Sequence, residues 1–158
     1  MDNNSQIKFS WGTFCRRAIT DQNTGEMSII DVVPALEVEQ VVPLNVNSDD
    51  LKVPIPLGTM YLTSVFKRLD DSDNEISEDL SIEFSQTGLP SVLIEVKAFM
   101  RSTDSSVFIN LDLQGLLLIV TSLDVSRYSF EVVYRVRDQE LGRLILPVVV
   151  KFKLLNDE

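Results

Sequence analysis

From Arg127 to Arg137 the chain alternates with a period of two. Tyr128, Phe130, Val132, Tyr134 and Val136 stand on one side, and Ser129, Glu131, Val133, Arg135 and Arg137 on the other. Successive side chains of an extended chain point to opposite faces, so this pattern predicts a strand with one face in a core and one in water. The polar stretch 138–142 predicts a turn. After it, Val148, Val150, Phe152 and Leu154, opposite Val149, Lys151 and Lys153, predict a second strand antiparallel to the first. Pro147 has no N–H to donate, which places that strand at an edge or a bulge. The same reasoning predicts a hairpin at the other end, from strands at 8–19 and 27–33. Its turn at 21–25 takes a positive φ from Gly25. Further strands are predicted at 59–69, 80–85, 92–100 and 107–120, the last divided or bent at Gly115. Residues 35–45, with three valines between two prolines, read as an extended connection. No segment shows sustained helical periodicity.

About eight strands separated by turn residues predict an all-β fold: a single immunoglobulin-like antiparallel β-sandwich. One domain is expected over 1–158, with residues 1–5 and 156–158 flexible. Asp124 stands four residues before Tyr128 at a strand start, the spacing of a tyrosine corner, in which the hydroxyl bonds upstream backbone. Phe130 then occupies the place where disulfide-bonded sandwiches carry cysteine.

Two stretches carry a resemblance. One is Thr24-Gly25-Glu26-Met27-Ser28-Ile29-Ile30-Asp31-Val32; the other runs Ser126-Arg127-Tyr128-Ser129-Phe130-Glu131-Val132, then Leu141-Gly142, then Leu146-Pro147-Val148. In these the chain resembles an uncharacterised family of small bacterial domains predicted to be β-sandwiches. Ser126 stands where that pattern has glycine, and residues 92–100 are additional. The shared motifs are structural, so the resemblance implies the fold and a bacterial or phage setting, and no active site.

Charge changes the picture more than composition does. The net charge is −10, unevenly spread. Residues 1–126 hold 8 basic and 19 acidic side chains, whereas residues 127–153 hold 6 basic and 3 acidic. A mostly acidic surface repels phosphate backbones, so no nucleic-acid partner is expected. No apolar run approaches the ~20 residues of a membrane helix, and the start Met1-Asp2-Asn3-Asn4-Ser5 is not that of a signal peptide, so a cytoplasmic protein with no membrane partner is expected. Cys15 is the only cysteine, which rules out an internal disulfide; beside Arg16 and Arg17 it reads as a buried structural residue.

The chain has no histidine, which removes the commonest neutral-pH base and any Ser–His or Cys–His pair. Its glycines are scattered singly and form no phosphate loop. No catalysis and no cofactor are therefore expected; a carboxylate-only hydrolase is the least favoured alternative. The acidic loop with Asp70, Asp71, Asp73 and Glu75, followed by Glu78 and Asp79, is the one candidate for calcium, although Ile76 breaks the EF-hand pattern. Such a loop supports the alternative of a ligand-binding module for calcium or carbohydrate; the plainer reading is a solvated turn. Arg135, Arg137, Arg143, Lys151 and Lys153 lie on the final hairpin. They serve either to guard a sheet edge or to dock an acidic partner, a second copy included. Residues 116–120, apolar on both faces, are covered within the domain or by another subunit. The leading expectation is a non-catalytic protein-interaction or structural module, with self-association into a homo-oligomer open.

Overall fold

The structure, a computed structural model, describes residues 4–24, 26–42, 52–70, 73–86 and 88–155. Every regular element among them is a strand. In chain order these are β1 (Ile7–Thr20), β2 (Met27–Val32), β3 (Leu36–Val42), β4 (Val53–Pro56), β5 (Tyr61–Arg68) and β6 (Ile76–Gln86). They continue with β7 (Val92–Met100), β8 (Ser106–Asp112), β9 (Leu117–Val120), β10 (Arg127–Val136) and β11 (Gln139–Leu154). A front sheet runs β2-β1-β5-β8, antiparallel throughout. A back sheet runs β3-β11-β10-β6-β7, and its β3–β11 pair is parallel. β4 and β9 make a short antiparallel ribbon.

The all-β expectation holds, but eleven strands among the described residues and a mixed sheet correct the expectation of about eight antiparallel ones. The stretch read as a connection contains β3, in which Leu36, Val38, Gln40 and Val42 alternate with the exposed Glu37, Glu39 and Val41. Its prolines stand outside the strand in sequence and cost the ladder no donor. β4 forms despite Pro54 and Pro56 because among the described residues its ladder partner is β9 alone, so its other edge needs no N–H. The 107–120 segment does divide, into β8 and β9 in different sheets. Gly115 adopts φ 94° between them, a value that glycine reaches without strain. Gly25 lies outside the described residues.

The final hairpin is tighter than its polar stretch predicts, turning on Arg137 and Asp138 alone with Arg137 at φ 54°. Gly142 is therefore not in the turn but inside β11, opposite Tyr134. There it makes room for β1: a Cβ at 142 would stand 2.5 Å from Cδ1 of Phe9. Gly12 does the same from the other side, where a Cβ would stand 2.8 Å from Leu144 Cδ1. This glycine-lined seam lets β1 of the front sheet close against β11 of the back.

The inner faces of the two sheets share one apolar core, with Phe14, Leu62, Phe66 and Ile109 from the front, and Leu80, Ile82, Val132, Tyr134 and Leu146 from the back. Phe9, Phe66 and Tyr134 form an aromatic triangle across the seam, with ring centroids 4.9–5.7 Å apart. Burial pushes the Tyr134 hydroxyl well above the ordinary phenol range, so it stays neutral, and it shares a 2.5 Å hydrogen bond with Ser64 Oγ. Tyr128 makes the bond that the tyrosine-corner spacing predicts, donating to the Ser122 carbonyl at 3.1 Å. Ser5, expected in a flexible end, is buried; its N–H donates to Gln139 Oε1 at 3.1 Å.

Candidate interaction surface

The outer face of the back sheet carries most of the predicted basic residues, and each of those is already paired within the chain. In the parallel ladder Lys151 and Lys153 each reach the glutamate two residues before their ladder partner. Lys151 pairs with Glu37, and Lys153 with Glu39 at 2.6 Å. Arg143 pairs with Glu131 and, at 2.9 Å, with Glu140; Arg135 pairs with Glu83. These contacts hold carboxyls below their usual range: Glu39 through Lys153, Glu140 through Arg143, and Glu83 through the Ser91 hydroxyl first and Arg135 second. They also raise Arg143 and Lys151. Arg137 stands apart from this ladder, in the hairpin turn. An acidic partner at this face would have to displace carboxylates that the chain itself supplies.

The acidic loop is organised around a cation. The nearly buried Arg68 guanidinium donates to the carbonyls of Asn74 (2.8 Å), Arg101 (2.8 Å) and Asp104 (3.2 Å), and faces Asp70 at 3.8 Å. Sequence reasoning missed this staple, because a lone Arg at the end of a strand has no local signature. Asp73 and Glu75 are exposed, while Asp71 lies outside the described residues. Glu78 turns inward and accepts from Gln6 N–H at 2.9 Å, and Asp79 turns outward to Lys97. Among the described residues no three His, Cys, Asp or Glu side chains gather as metal ligands would.

The outer face of the front sheet is different, and a β-bulge makes it so. Phe9 pairs with Phe66 and Trp11 with Val65, so the register shifts by one residue at Ser10. A regular strand would place Phe9 and Trp11 on one face; the bulge keeps Phe9 inside and turns Trp11 out. Trp11, Val65 and Phe108 then form one cross-strand row. Trp11 is 41% and Phe108 43% exposed, while Val65 between them is 3% exposed. Below this row lie Thr13, Thr63 and Asn110, with Thr63 Oγ1 donating to Asn110 Oδ1 at 3.0 Å. The next row holds Val32, Cys15, Tyr61 and Asp112. Cys15 is buried, as expected, with Sγ 3.8 Å from Thr63 Oγ1. Cations border the apolar rows, Lys8 and Lys67 paired across the ladder at one end and Arg17 beside Ile30 at the other. Among the described residues none of these three cations takes part in an ion pair.

β9 lines an apolar hollow of about 330 Å³, walled by Phe84, Leu89, Val92, Leu117 and Phe130 among others. Gln86 closes its floor, donating Nε2 to Ile119 O at 2.6 Å and accepting from Ile119 N at 3.0 Å. Leu118 and Val120 point the other way, into the core, which accounts for a strand apolar on both faces. Among the described residues no helix is long and apolar enough to cross a membrane. No protein-family model and no curated protein matches the chain.

Proposed function

We propose that this chain is a non-catalytic protein-interaction module on an immunoglobulin-like sandwich frame, docking its partner through the outer face of the front sheet. The observation that carries the reading is the row Trp11–Val65–Phe108, two half-exposed aromatics bordered by the unpaired cations Lys8, Lys67 and Arg17. Aromatic anchors surrounded by a polar rim are the usual energetic centre of a protein interface. Charge complementarity then defines the partner as a protein surface apolar at its centre and acidic at its edge. The frame is supported by the Tyr128–Ser122 bond, and the non-catalytic reading by the absence of histidine from the chain. The reading needs no cofactor, and the single buried cysteine fits a reducing, cytoplasmic setting.

Trp11 is the only tryptophan, so it reports on its own face. A captured and purified partner is expected to shift Trp11 emission to the blue. Its binding is expected to weaken at least tenfold on Trp11→Ala or Lys67→Glu and to survive Lys151→Glu. Binding that leaves Trp11 emission unchanged and is lost on Lys151→Glu would assign docking to the back sheet and overturn the proposal.

A further inference from the structure

Exposed sheet edges are templates for another strand, and proteins usually blunt them. The ribbon strand β4 carries Pro54 and Pro56. Edge strand β3 presents Glu37 and Glu39 to solvent. β2 is six residues long, with Asp31 at φ 55°. β7 has neither proline, bulge nor positive φ over its nine residues, and the only charges it presents, Glu95 and Lys97, are of opposite sign; it leaves Val92 53%, Leu93 58% and Phe99 46% exposed. Among the described residues its backbone bonds to β6 alone.

Its sequence, Val92-Leu93-Ile94-Glu95-Val96-Lys97-Ala98-Phe99-Met100, complements itself about its centre. We infer that two copies of this chain join β7 to β7, antiparallel, about a two-fold axis at Val96, merging the five-stranded back sheets of both copies into one. In that register Glu95 faces the second copy's Lys97 and Lys97 faces its Glu95. Each Lys97 already lies 3.7 Å from Asp79 on β6, so the charged row continues across the junction. Leu93 and Phe99, exposed in one chain, lie opposite each other's copies and shield one another. On the inner side Val96 meets Val96, Ile94 meets Ala98 and Val92 meets Met100, extending the core.

The register is specified as well as allowed. A two-fold perpendicular to the sheet pairs only residues of the same face, so the axis moves in steps of one residue. Placing it at Glu95 sets that carboxylate against itself, and placing it at Lys97 does the same with two ammonium groups, both destabilising for directly opposed like charges. Val96 is the position between them where both charges are matched.

The inference rests on reading the chain as an interaction module but uses a different surface from the front sheet, so the two fail separately. The test is the solution mass of the full chain by light scattering over a concentration series, with Trp11 emission recorded alongside. The wild type is expected to pass from one chain to two with Trp11 emission constant. Glu95→Lys and Lys97→Glu each place like charges opposite in two symmetry-related pairs, and each is expected to weaken the dimer about tenfold. The double swap, Glu95→Lys with Lys97→Glu, restores the match and is expected to recover wild-type association within about threefold; melts of each single variant show whether it folds. A single-chain mass at every concentration overturns the inference and leaves front-sheet docking standing. A dimer indifferent to both single swaps overturns it too, and a concentration-dependent Trp11 shift would then move self-association to the front sheet.

Discussion

Each outer face of this molecule buries one valine outside the shared core, and the two do it by opposite means. On the front sheet Val65 is 3% exposed between Trp11 and Phe108, its neighbours across β1 and β8. On the back sheet Val133 is 6% exposed between Arg143 and Glu83, its neighbours across β11 and β6. The geometry is the same: a small β-branched side chain on an inner strand, sheltered by longer ones on either side. The consequences differ. Arg143 and Glu83 shelter with their stems, keep their charges in water and neutralise them against Glu131, Glu140 and Arg135. That face presents solvated, internally satisfied groups. The aromatic cover has no such second partner; Trp11 stays 41% and Phe108 43% exposed, apolar surface whose burial would be favourable.

Both covers presuppose that the sheets close over the glycine-lined seam, so the largest effect should come from opening it. Gly142→Val puts side-chain atoms into the space of the whole Phe9 side chain, whose Cδ1, Cγ and Cβ all lie within 3.1 Å of the added Cβ position. Phe9 cannot yield without disturbing its stacking on Tyr134, 4.9 Å away. Overpacking of this kind costs about 1–3 kcal/mol or more. Denaturant melts should show that loss, with Phe66 and Tyr134 near-ultraviolet signals perturbed; unchanged stability would mean the seam is not what joins the two faces.

The next effect separates the covers. Trp11→Ala removes one side of the shelter over Val65, and is expected to cost about 1–2 kcal/mol, less than a fully buried aromatic because Trp11 already stands 41% exposed. The loss should be the same in low and high salt, since no charge is involved. A loss that varied with salt would mean that the front face is held electrostatically after all.

That contrast was only partly legible in the sequence, for physical reasons that can be named. The alternation of β10 and β11 is local, so most of their inner sets, Phe130, Val132, Tyr134, Val148 and Val150 among them, could be read directly. β3 could not, because what makes it a strand is a parallel partner more than a hundred residues away, Val148 to Leu154. The basic residues of the last hairpin were visible as charges, but their neutralisation depends on Glu37, Glu39 and Glu83, which topology alone brings beside them. The front face was hidden most completely. Period-two reading assigns Phe9 and Trp11 to one side, and the single extra residue at Ser10 that divides them is set by pairing with β5. Even a visible strand can thus have its exposed face misread by one bulge.

The smallest effect should lie on the back face, where it is also the most diagnostic. A double-mutant cycle on Arg135→Ala and Glu83→Gln is expected to give a coupling of only about 0.2–1 kcal/mol, as partly exposed pairs do, and to shrink in salt. Acid should reveal it more clearly. Because the folded state holds the Glu83 carboxyl below its ordinary value, its contribution is fully present above the unfolded value of about 4.3 and is lost as pH falls through the lowered folded one. Glu39 and Glu140 are lowered by their own cations and act with the same sign. Melts between pH 7 and pH 3 should therefore lose stability towards the acid end in the wild type and equally in Trp11→Ala. Arg135→Ala should lose less, though not nothing, because the Ser91 hydroxyl still lowers Glu83. If Trp11→Ala flattened the acid response while Arg135→Ala left it whole, the assignment of charge to one face and apolar cover to the other would be reversed.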